Sequence, residues 1–150
     1  MEEFDTLEKV KELFKNAGCE GTENCYFLAL KDNARAKSGL VGGMEYPYWG
    51  LLINETENGL GMFYLNLDKF TLKLKLEDLK IMPNSYFFIP NENIKKITVK
   101  NYSIFNTKTK SITIKTNDGR THHLSVRLDQ NLLPYQNDNL TKFIAKHSKQ

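Results

Sequence analysis

The chain has 150 residues, 40% of them hydrophobic and 26% charged, which suits one globular domain with a real core and excludes a disordered chain. A net charge of +3 excludes a strongly polycationic nucleic-acid binder, and two cysteines exclude a disulfide scaffold. The acidic start Met1-Glu2-Glu3 and the lack of any bilayer-length apolar run lead us to expect a cytoplasmic protein without a transmembrane segment.

In chain order, the first element reads as a helix over residues 1–18. Asp5 and Glu8 have capping-box spacing, Leu7, Val10, Phe14 and Ala17 form one stripe, and Gly18 suits a left-handed stop. Cys25 to Lys31 reads as the first of several antiparallel strands spanning residues 25–128. The glycine-containing stretch Asp32 to Tyr46 is a loop or a loop holding a short helix. Asn58-Gly59 lies between two apolar runs, a hairpin signal because both residues tolerate positive φ. The flanking strands are apolar on both faces, so burial does not fix their register. Phe70 to Leu76 alternates as a half-buried strand, and Tyr86 to Ile89 is a further strand ended by Pro90.

Ile94, Ile97, Val99 and Ile104 mark one or two more strands, and residues 111–127 form a hairpin with two possible registers. A two-residue Asp118-Gly119 turn would put Leu124 and Val126 on the wrong face. A three-residue loop, Asn117-Asp118-Gly119, pairs Ile112 with Leu124 and Ile114 with His122, with Gly119 at the left-handed third position. That register turns His122 inward and His123 outward. After Pro134, residues 137–149 read as a helix capped within Asn137 to Asn139, with Leu140, Phe143, Ile144 and His147 on its apolar stripe.

No nucleophile elbow, phosphate-binding glycine loop or zinc-protease motif occurs. Cys19, Cys25 and the three histidines match no metal-ligand spacing, and the adjacent His122 and His123 project to opposite faces of a strand, so no metal or cofactor is expected. Charge is the remaining signal. Residues 1–75 hold nine basic and twelve acidic residues, whereas residues 76–150 hold twelve and six. Between Lys95 and Arg127 eight cations (Lys95, Lys96, Lys100, Lys108, Lys110, Lys115, Arg120 and Arg127) accompany a single acid, Asp118. Such a face suits phosphates or acidic lipid headgroups, and we take Lys108, Lys110, Lys115, Arg120 and Arg127 as its candidate ligand-binding residues. The aromatics are not interleaved with these cations, which argues against nucleic acid.

Phe88, Ile89, Pro90 and Ile94 before a strand, with Leu140, Phe143 and Ile144 on the last helix, resemble bacterial PH-like (pleckstrin homology-like, GRAM-like) domains over residues 48–148. The resemblance implies an α+β, mostly β fold: a bent antiparallel sheet or partly open barrel closed by a C-terminal helix, here with an extra N-terminal helix. It also implies a non-enzymatic module that binds a protein segment or an anionic lipid or phosphate surface. The alternative is a small-molecule-binding domain or enzyme with its site near the Gly39–Tyr48 loop, where glycines adjoin Tyr46, Tyr48 and Trp49.

Overall fold

The computed structural model describes residues 4–19, 21–31, 50–67, 79–105, 108–128 and 133–148. They form helix α1 (Leu7–Asn16), strands β1 (Asn24–Lys31), β2 (Gly50–Thr56), β3 (Gly59–Leu67), β4 (Leu79–Ile81) and β5 (Phe87–Pro90), a 3-10 turn (Asn91–Asn93), strands β6 (Ile94–Asn101), β7 (Thr109–Thr116) and β8 (Thr121–Arg127), and helix α2 (Gln136–His147). The architecture is α+β and mostly β, as expected. The predicted strand Phe70 to Leu76 lies outside the described residues.

All pairings are antiparallel, in the order β4-β3-β2-β1-β8-β7-β6, with β5 also on β3. The first half of β3 pairs with β5, from Gly59↔Pro90 to Met62↔Phe87, and its second half pairs with β4. β5 and β6 therefore border opposite ends of the sheet, yet only the 3-10 turn separates them in sequence. A three-residue connection spans at most about 10 Å, so the sheet must bend until its two ends approach. It does not close, because β5 and β6 do not pair.

Alternation along the strands builds two cores. The concave one contains Phe27, Leu51, Ile53, Met62, Val99, Ile112, Ile114, Leu124 and Val126, and α2 plugs it with Leu140 and Phe143. The Phe143 ring lies 4.6 Å from Phe27. The convex core holds Tyr26, Leu28, Leu52, Phe63 and Leu65 under α1, whose Val10 and Phe14 are fully buried. The two-sided apolar character of β1 to β3 thus reflects a helix on each face.

Helix α1 is shorter than residues 1–18, and its cap is Thr6 rather than Asp5. The Thr6 hydroxyl accepts from the Lys9 amide at 3.2 Å, and Asp5 instead pairs with the Lys9 ammonium at 2.9 Å. Gly18 has φ +88, as the stop predicted. Cys19 N donates to Phe14 O and Gly18 N to Lys15 O, so a Schellman motif ends the helix.

The β2–β3 hairpin forms, but its central residues are Glu57 and Asn58, since Thr56 pairs with Gly59. Asn58 does not adopt positive φ; Gly59 does, at +150. A Cβ on Gly59 would lie 2.2 Å from the Ile89 carbonyl oxygen, so close approach of β5 is what requires glycine there. The exposed Glu57 carboxylate accepts from the Thr22 amide at 2.7 Å and the Thr22 hydroxyl at 2.5 Å. These bonds hold its pKa well below the usual carboxylate range, at about 2. The β7–β8 hairpin has the expected three-residue loop: Ile112 pairs with Leu124, Ile114 with His122, and Gly119 has φ +91.

Helix α2 begins at Gln136 and caps on Tyr135 without a side-chain bond, not within Asn137 to Asn139. Strands β1 and β8 pair only at Leu30↔Ser125 and Lys31↔Leu124. Beyond that point the sheet splays, and the buried Gln136 amide enters the gap as a surrogate strand. Its Oε1 accepts from Leu28 N at 2.8 Å and its Nε2 donates to Leu28 O at 2.7 Å.

Candidate functional site

The register divides the five predicted cations into two groups. Lys115 pairs with Thr121, next to the hairpin loop that Arg120 follows, whereas Thr109, between Lys108 and Lys110, pairs with Arg127. Six residues of strand separate these ends, about 20 Å. Lys115 and Arg120 therefore belong to one end of the sheet, and Lys108, Lys110 and Arg127 to the other.

At the first end, a cavity of about 270 Å³ is lined by Phe87, Phe88, Asn93, Asp118, Arg120 and His122 among others. The Arg120 guanidinium lies 3.6 Å from the Asp118 carboxylate. The Thr116 hydroxyl and the Arg120 amide also donate to Asp118, and they hold its pKa below the usual range. Asp118 therefore stays charged and offsets the cation, which leaves this end poorly suited to an anion. His122 is buried against Phe87, with ring centroids 6.0 Å apart, and His123 faces the other way, as the register implied. Among the described residues no group of three His, Cys, Asp or Glu could hold a metal ion.

The second end is built differently. β6 finishes at Asn101, β7 starts at Thr109, and Tyr102 N donates to Thr109 O at 2.9 Å to close the connecting loop at its base. Leu128 N donates to Lys108 O at 2.8 Å, which joins the end of β8 to the same base. The Lys110 ammonium bonds the Asn101 side-chain oxygen. Lys100, Lys108 and Arg127 are exposed around this base. None of residues 100–105, 108–110 and 126–128 is acidic. Ile104 and Phe105 stand on the loop 87% and 94% exposed, and Leu128, just past β8, is 38% exposed.

Ile104 was expected in a strand; it lies outside β6 and out of the core. A signal for this was present. Ile97 and Val99 alternate inward, and Ile104 falls on the opposite parity, within the polar run from Lys100 to Lys108. No pattern in the sequence marks Phe105 as exposed.

A third cluster sits where α2 ends. Alternation in β2 aims Glu55 inward with Leu51 and Ile53, beside the directly opposite Cys25 of β1. His147 on the last turn of α2 brings Nε2 to 2.6 Å from Glu55 Oε2, with both side chains nearly buried, and Lys146 Nζ lies 3.7 Å away. Cys25 and His147, which no spacing aligned, thus both neighbour Glu55, one across the β1–β2 pair and the other by direct contact. The arrangement does not activate the thiol. Cys25 Sγ donates to Asn139 O at 3.0 Å, and burial, reinforced by the Glu55 charge, pushes its pKa up to about 12. Burial raises the Cys19 thiol as well. Iodoacetamide at pH 7.5 should therefore leave both cysteines unmodified in the folded protein and label both in urea. Rapid native labelling of Cys25, read by mass spectrometry, would revive a catalytic reading.

The Gly39–Tyr48 loop and Trp49 lie outside the described residues. No helix among the described residues is long and apolar enough to cross a membrane. No protein-family model, curated protein or solved structure matches the chain.

Proposed function

We propose that this chain is a non-enzymatic, cytoplasmic, PH-like binding module that docks onto an anionic membrane surface through the β6–β7 end of its sheet. A bent antiparallel sheet plugged by a C-terminal amphipathic helix supports the PH-like reading, and two free cysteines suit a reducing compartment. The observation that carries the docking surface is the gathering of Lys100, Lys108, Lys110 and Arg127 around one loop built without an acidic residue. Each cation near an anionic leaflet contributes about 1 kcal/mol, an attraction that fades within a Debye length of about 8–10 Å. Lys115 and Arg120, about 20 Å away along the strands, then lie beyond its reach.

Vesicle co-sedimentation tests this. The protein should bind phosphatidylserine-containing vesicles, bind phosphatidylcholine vesicles far more weakly, and lose affinity as salt rises. Replacing Lys108, Lys110 and Arg127 together by glutamine should weaken binding about 100-fold, the equivalent of three cations. Lys115→Gln with Arg120→Gln should change it less than about threefold, because those charges are screened. Equal binding to neutral vesicles, or equal losses from the two sets, would defeat the proposal.

A further inference from the structure

We propose that Ile104 and Phe105 form a membrane anchor that enters the headgroup–acyl boundary while the surrounding cations hold the headgroups. This rests on the docking surface just described and adds an apolar mode of attachment to it. The two side chains are adjacent, 87% and 94% exposed, and far more exposed than the partly covered Leu7, Phe88 and Leu128. They lie on a loop whose base is fastened by Tyr102 N to Thr109 O and Leu128 N to Lys108 O, so the sheet presents them at its end.

Position relative to charge identifies the occupant. Lys100 precedes Ile104 by four residues and Lys108 follows Phe105 by three. At no more than about 3.3–3.6 Å per residue, these ammonium-bearing positions lie within about 14 Å of the tip. Amphipathic anchors bury their apolar face about 5–10 Å into the boundary, so an apolar tip in the acyl region leaves these cations among the phosphates. A protein partner suits the loop less well. A stable interface needs about 800 Å² from each side with an apolar centre, and here two apolar residues stand alone on a loop with cations at its base. A bilayer needs no shaped complement, and charge complementarity selects its anionic leaflet.

The test uses the full chain with Phe105→Trp, read against wild type so that Trp49 serves as the common background. On anionic vesicles the difference emission should shift to the blue and be quenched by lipids brominated high on the acyl chain. Ile104→Ser with Phe105→Ser should keep the wild-type melting temperature, since neither residue is in a core, and lose about 100-fold or more in vesicle affinity. If the double variant binds anionic vesicles as wild type does and the tryptophan shows no shift, insertion is wrong although the electrostatic surface survives. If wild type binds no vesicles and the double variant dissociates a dimer seen by light scattering, the tip is a self-association contact, and both proposals fall.

Discussion

Replacing Phe143 with alanine is expected to lower the unfolding free energy by about 3–5 kcal/mol, the cost of deleting a buried aromatic ring. The ring is 1% exposed, packs 4.6 Å from Phe27 and 4.5 Å from the His147 ring, and sits where α2 closes the concave core. Urea denaturation should show the midpoint fall by more than about 1 M. Phe143→Leu, which retains most of the volume, should cost markedly less. A loss below about 1 kcal/mol for the alanine variant would mean that α2 is not the plug of the sheet. The same variant should also loosen the Glu55–His147 contact, because His147 lies one turn further along the same helix face.

The second large effect is expected at Gln136. Its amide supplies both partners of the Leu28 backbone, and it is 6% exposed. Gln136→Leu would leave a buried N–H and a buried C=O unpaired, at about 1–3 kcal/mol each, so a loss of about 2–6 kcal/mol follows. Hydrogen exchange separates this mechanism from general loss of packing. The Leu28 amide should exchange much faster in the variant under conditions where the Phe27 and Ala29 amides stay protected. Unchanged protection at Leu28 would show that water or a strand shift replaces the side chain.

The proposed docking surface and its tip carry little of this stability. Lys108, Arg127, Ile104 and Phe105 are exposed, so their substitutions should separate binding from folding, whereas Phe143 and Gln136 should affect both. The proposed placing of recognition on a loop held by rigid strands, away from the two cores, follows the usual division between scaffold and contact surface.

By itself the sequence determined what is local. Alternation placed Ile112, Ile114, Leu124 and Val126 on one face, and that shared face plus the left-handed position of Gly119 selected the β7–β8 register that the structure has. The α2 stripe through Leu140, Phe143 and His147 was legible because a 3.6-residue period reports the buried face directly. Cap positions were misplaced at both helices, since Thr6 and Asp5, or Tyr135 and Asn137, differ by a residue or two of chain entry that neighbouring packing decides. Only the tertiary structure decided which charges share an end of the sheet. Five cations within twenty residues looked like one face, and strand pairing set them about 20 Å apart. Only it could bring Cys25, Glu55 and His147 together or lend Gln136 to β1, because those contacts join residues from 30 to more than 100 positions apart. Alternation records which side of its own strand a residue occupies. What stands opposite is settled by how the bent sheet and its two helices pack, and short-range sequence patterns do not encode it.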